Sequence, residues 1–142
     1  LPTYSYARIY RSDEKLGFHL DRDACEITAT VNLGFLGEKT WPIFILPMEE
    51  SNEHRPAFLK HNEGLTPDET YHNNYADDKT FKTAVKVDLD IGDAVLFKGR
   101  ELFHWREPYI EGAWQVQVFL HYVDANGPFK DLKYDRRDKL QI

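Results

Sequence analysis

Gln115-Val116-Gln117-Val118-Phe119-Leu120-His121-Tyr122-Val123 alternates more strictly than any other stretch of the chain, and its reading decides the fold class. Side chains of a strand point to opposite faces at every second residue. Val116, Val118, Leu120 and Tyr122 therefore share one largely apolar face, suited to packing outward against a covering layer. Gln115, Gln117, Phe119 and His121 share the other. A buried polar group without a partner costs about 1–3 kcal/mol. The polar face thus implies an inner cavity that holds water, an anion or a metal; solvent exposure of that face is the alternative.

Working outward, the same alternation recurs. Residues 4–10 (YSYARIY) place Tyr4, Tyr6, Arg8 and Tyr10 on one face and Ser5, Ala7 and Ile9 on the other. Residues 25–33 (CEITATVNL) are rich in β-branched side chains, and residues 41–46 (WPIFIL) form a short apolar run. Residues 85–89 lead into the turn Ile91-Gly92-Asp93, with residues 94–97 continuing beyond it. Short strands separated by turn signals predict an all-β sandwich or barrel. Residues 47–83 show no period and are rich in Pro, Asn, Glu, Asp and His. Such a stretch is expected to be a functional lid or a tolerated surface insertion. No convincing helix is expected, apart from a weak signal near the C-terminus.

A chain of 142 residues, 42% hydrophobic and 30% charged, is expected to be one globular domain. Its net charge of −6, with acids and bases interleaved, argues against a nucleic-acid partner. An aromatic content of 14% suggests large side chains around a wall or cavity. Cys25 is the single cysteine, which excludes an intrachain disulfide and a multi-thiolate zinc cluster. No apolar run approaches the roughly 20 residues that cross a bilayer, and no leader is visible, so no membrane contact and a cytoplasmic location are expected. The chain opens on Leu1-Pro2 rather than on methionine, which reads as a fragment or a processed form.

The chemistry rests on two motifs. In Gly17-Phe18-His19-Leu20-Asp21-Arg22, His19 and Asp21 fall on the same side of a strand and can grip one metal from adjacent positions. Far downstream, residues 88–97 (DLDIGDAVLF) and a Lys98-Gly99 turn lead to His104-Trp105-Arg106. That returning histidine would complete a triad of two histidines and one carboxylate. Such a triad leaves coordination positions open, as iron(II) oxygenases need. Zinc also tolerates these ligands.

Taken together, Tyr10, His19-x-Asp21, the strand Thr28-Ala29-Thr30-Val31-Asn32-Leu33 and Gly92-Asp93-x-x-x-Phe97 followed by His104 resemble the prolyl-4-hydroxylase-like branch of the 2-oxoglutarate/iron(II) oxygenases. The likeness covers most of the chain outside residues 47–83 and the C-terminal tail. It implies a mainly β double-stranded β-helix, or jelly roll, with the metal at the barrel mouth. It implies Fe(II) and 2-oxoglutarate as cofactors, O₂ as co-substrate, and His19, Asp21 and His104 as catalytic metal ligands. Tyr10 would hydrogen-bond the oxoacid, and Thr30, Gln115 and Gln117 would line its pocket. The implied substrate is a peptidyl proline, another protein side chain or a small molecule.

One departure stands out. The family places Arg or Lys on the last core strand to hold the far carboxylate of 2-oxoglutarate, whereas residues 111–117 (EGAWQVQ) contain no base. Arg8, on a first strand that pairs with the last, and Arg106, two residues beyond His104, are the substitutes, and Arg8 is favoured. The missing base also supports a different class, a jelly-roll metal-binding or interaction module without catalysis. A cupin-type metal enzyme fits less well, because the His19 region lacks several closely spaced histidines and a Glu. His54, His61 and His72 are expected at the surface, His121 at the cavity wall, and Cys25 as a small buried hydrophobe.

Overall fold

Antiparallel pairing organises the protein, whose computed structural model describes residues 1–138. Eight strands run in chain order: β1 (Pro2–Arg11), β2 (Leu16–His19), β3 (Ile27–Gly37), β4 (Ile43–Ile45), β5 (Val85–Val87), β6 (Ala94–Phe97), β7 (His104–Arg106) and β8 (Gly112–Tyr122). They form two four-stranded sheets, ordered β1-β8-β3-β6 and β2-β7-β4-β5. The chain crosses repeatedly between the sheets, and its first strand pairs with its last. This is a jelly roll. Strands form at each predicted stretch, except that β2 ends at His19 and leaves Asp21, expected on the same strand, just beyond it. The alternation of residues 115–122 places Gln115, Gln117, Phe119 and His121 inside, buried.

The turn before β6 needs a glycine. Gly92 has φ of 92° between Asp90 and Asp93, a backbone conformation open to glycine at little cost. The turn closes with the Asp93 amide donating to the Asp90 carbonyl at 3.0 Å.

Residues 47–83 correct the sequence expectation. They connect β4 to β5 and contain α1 (Met48–His61) and α2 (Pro67–Tyr71). The buried positions of α1 are Glu50, Ser51 and Phe58, two of them polar, so no apolar period is written into it. Pro56 inside the helix masks it further. What anchors α1 is hydrogen bonding. The Glu50 carboxylate accepts the amides of Lys82 and Thr83, each at 2.8 Å. The Ser51 hydroxyl donates to the Leu46 carbonyl and accepts from the Phe103 amide. Glu49 and Glu50 in the first turn and Lys60 and His61 in the last match the helix dipole.

The insertion also supplies core. Phe58 and Tyr75 join Phe18, Leu46, Phe103 and Trp105 in one buried cluster, with Phe81 packed against it. Phe18 stacks on Phe103 with centroids 4.4 Å apart and on Phe81 at 4.9 Å. The insertion therefore covers the outer face of the second sheet. The first sheet differs. Its outward face was expected to carry a covering layer, yet Ile9, Leu33 and Leu96 on that sheet are exposed among the described residues. No described helix is long and apolar enough to cross a membrane.

Candidate metal centre

Register across the second sheet brings the two motifs together. β2 and β7 pair antiparallel with His19 opposite His104, and the ring centroids stand 4.2 Å apart. Asp21 follows β2, its amide donating to the Gly99 carbonyl at 2.9 Å. Its Oδ1 lies 3.4 Å from Nε2 of His19 and 3.5 Å from Nε2 of His104. Donors about 2.1 Å from one ion stand roughly 3.0–3.4 Å apart at octahedral to tetrahedral angles. The spacing fits a single cation.

Both imidazoles are oriented by backbone. Nδ1 of His19 bonds the Gly17 carbonyl at 2.7 Å, and Nδ1 of His104 bonds the Leu102 carbonyl at 2.9 Å. A carbonyl partner puts the proton on Nδ1 and leaves Nε2 as the free lone pair. Nε2 of His19 is buried without a hydrogen-bond partner. The Thr28 hydroxyl donates to Oδ2 of Asp21 at 2.8 Å, so Oδ1 remains for an ion. Burial alone would raise the Asp21 carboxyl, but His104 and His19 beside it bring it well below its ordinary value. Burial, and then His104, lower His19. A neutral His19 imidazole and an ionised Asp21 carboxylate are protonation states that suit a cation. His19, Asp21 and His104 can hold a metal.

Close packing fixes this arrangement. A Cβ on Gly99 would overlap Oδ2 of Asp21 and the Thr28 hydroxyl, so the Lys98-Gly99 turn carries a glycine to make room for the carboxylate. Tyr71, at the end of α2, lies against His19 with centroids 4.3 Å apart, and Phe97 meets His104 at 4.7 Å. The sequence reading places Thr28 on a strand and Gly99 in a turn but gives neither a role beside Asp21, and it does not single out Tyr71.

The co-substrate candidates separate. Tyr10 is buried and meets Trp41 edge-on at 4.8 Å. Thr30 is buried and donates to Oε1 of Gln117 at 3.2 Å, leaving the Gln117 amide nitrogen unpartnered among the described residues. Gln115 is committed to backbone, accepting the Trp41 amide at 2.7 Å. Arg8, the arginine favoured from sequence, stays at the rim. Its side chain is 48% exposed, pairs with Glu14 at 3.5 Å and lies over the Tyr10 ring. Arg106 is the opposite case. It is 1% exposed, and its Nη1 donates to the Trp41 carbonyl. Its Nε and Nη2, which form one edge of the guanidinium fork, have no hydrogen-bond partner, and the guanidinium carbon lies over the Trp41 ring, 5.0 Å from its centroid. No carboxylate pairs with it among the described residues. Burial pushes it down to about 10, which still leaves it charged at neutral pH.

The triad sits where two hollows meet. A wide outer cavity is walled by Tyr4, Tyr6, Tyr10 and Tyr71 and reaches His19 and Asp21. A narrow inner one of about 10 Å³ touches His19, Asp21, Thr28, Thr30, His104 and His121. About 10–15 Å³ is room for one water or an ion.

Comparison with known proteins finds likeness only among solved structures. No family model matches the chain, and no curated protein matches it. Among solved structures it is similar to AviO1 from Streptomyces viridochromogenes Tue57, at 17% identity and a TM-score of 0.54. That match covers 90% of this chain and 52% of AviO1, so the chain spans about half of that protein. A cupin domain from Bordetella pertussis Tohama I is more distant, at 11% identity and a TM-score of 0.42 over 87% of this chain and 93% of that one. The likeness is one of fold.

Proposed function

We propose that the chain is the jelly-roll core of a non-haem iron(II) and 2-oxoglutarate-dependent dioxygenase that hydroxylates a protein side chain, prolyl-type, or a small molecule. The observation that carries this reading is Arg106. A lone buried cation is costly unless an anion meets it. Arg106 projects from β7 on the same side as His104, two residues away, with one edge of its fork unpaired. An arginine fork holds a carboxylate through two charge-assisted hydrogen bonds. This unpaired edge supports Arg106, over Arg8, as the base that β8 lacks.

Each residue then has a task. His19 and His104 offer Nε2, and Asp21 offers Oδ1, to the metal. Thr28 holds the carboxylate in place. Arg106 takes the far carboxylate of the oxoacid, with Tyr10 beside it. The tyrosine-walled outer cavity receives the substrate. When bound, iron(II) and 2-oxoglutarate supply the oxidation: the oxoacid and O₂ yield succinate and CO₂ while a substrate C–H becomes C–OH.

A second reading has its own support. The inner cavity has room for an ion or one water, and a metal-binding module without oxoacid chemistry needs no more. Anaerobic titration with 2-oxoglutarate in the presence of manganese(II) separates the two. The oxygenase reading expects metal-dependent oxoacid binding that Arg106→Ala abolishes and Arg8→Ala leaves within a few-fold. Metal uptake with no oxoacid binding favours the module.

A further inference from the structure

Beside the triad, on the wall of the same outer cavity, lies a second group of donors that shares Asp21. Sγ of Cys25, a ring nitrogen of His121 and a carboxylate oxygen of Asp21 all lie within 4.8 Å of one another. Cys25 and His121 are both buried, His121 to 4% exposure. Nδ1 of His121 is engaged by the Thr28 hydroxyl at 3.1 Å, while its Nε2 is buried with no hydrogen-bond partner. The Cys25 thiol was expected from sequence to be inert packing. It is buried as a small hydrophobe would be, and in addition its sulfur meets the Tyr4 hydroxyl at 3.1 Å, while the Tyr4 ring lies over His121 with centroids 4.5 Å apart. An orphaned imidazole, a thiol and a carboxylate in one buried corner form a donor set of different chemistry from the triad.

We infer that Cys25, His121 and Asp21 form a second cation site, suited to zinc(II), that shares Asp21 with the triad. Thiolate, imidazole and carboxylate are all zinc ligands, with the thiolate favouring a softer ion than iron(II). A tetrahedral zinc would draw these donors to roughly 3.4–3.6 Å of one another, which asks for small side-chain rotations from the present spacing. Binding displaces the thiol proton to solvent. Three protein donors leave one position open, and the Tyr4 hydroxyl stands beside the sulfur to approach it. Because Asp21 is shared, zinc in this site competes for the carboxylate that the triad uses. The inference does not depend on the oxygenase reading.

The test uses cobalt(II) as a coloured stand-in for zinc(II), added anaerobically to the full chain carrying His19→Ala and His104→Ala. Those changes remove two triad ligands and keep all three of the second site. The expected result is a near-ultraviolet sulfur-to-cobalt charge-transfer band that saturates at one equivalent and is discharged by zinc(II). Cys25→Ser and His121→Gln should each abolish it, with far-ultraviolet dichroism showing that each variant is folded. Should the double-alanine background not fold, the same titration is made with His19→Gln and His104→Gln, which remove the imidazoles but keep more side-chain volume, and the Cys25→Ser and His121→Gln changes are made there. No sulfur band in a folded protein, or a band indifferent to His121→Gln, overturns the site. Either failure leaves the triad assignment standing, because the band does not report on it.

Discussion

The Thr28 hydroxyl donates to Oδ2 of Asp21 at 2.8 Å, and Oδ1 of the same carboxylate faces Nε2 of both His19 and His104. One oxygen is held while the other is offered. Partners of this kind typically change metal affinity by about 10–100-fold. Thr28→Val should weaken manganese(II) binding by that factor in an anaerobic titration, and Thr28→Ser should restore it. Equal affinity in all three proteins would show that the hydroxyl plays no part in orienting Asp21.

Gly99 makes the room in which Asp21 sits. Gly99→Ala should push the carboxylate out of line and reduce metal binding nearly as far as Asp21→Ala does. Gly92→Asn is the contrast: the position has positive φ but open space around it, and Asn tolerates that backbone. Metal titration of both variants checks the pair. Intact binding in folded Gly99→Ala would mean that the carboxylate is held elsewhere.

Arg106 sets function against stability. With no acid beside it, Arg106→Met should raise the stability of the metal-free protein by about 1 kcal/mol, since removing a buried charge that no anion neutralises outweighs the lost hydrogen bond and the contact with the Trp41 ring. The same change should eliminate the rise in melting temperature that 2-oxoglutarate with manganese(II) confers on the native chain. Thermal melts with and without the oxoacid read both effects. A destabilised variant that still responds to the oxoacid would contradict the role given to this side chain.

His121 predicts a pH dependence. Burial lowers it to about 4, against about 6.5 in the unfolded chain. Between those values the unfolded state binds a proton that the folded state refuses. This contribution to stability is therefore complete above pH ~6.5 and is lost as the pH falls toward ~4. Denaturant midpoints of the metal-free protein should fall across that window, and less steeply in His121→Gln. A flat profile, or the same slope in the variant, would exclude His121 as the cause.

Much of this architecture was legible because strands declare themselves by alternation. Residues 115–122 showed which side chains face inward, and the β2–β7 register sets His19 opposite His104, with Asp21 just beyond the strand and close to both. What stayed hidden had no apolar period to reveal it. The helix α1 is held by Glu50 and Ser51, polar residues whose hydrogen bonds do the anchoring that aliphatic side chains usually do. Arg8 and Arg106 were both compatible with the inside by parity alone, and only burial distinguishes them. Contacts such as Gly99 against Asp21 join residues far apart in the chain, and no local pattern encodes them.

The central assignment is that His19, Asp21 and His104 share one divalent cation, and isothermal titration of the oxygen-free protein with manganese(II) tests it most directly. The account predicts one equivalent bound by the native chain and none by His19→Ala, Asp21→Ala or His104→Ala, each shown to be folded by circular dichroism. Undiminished binding of that equivalent by any one of the three would contradict it.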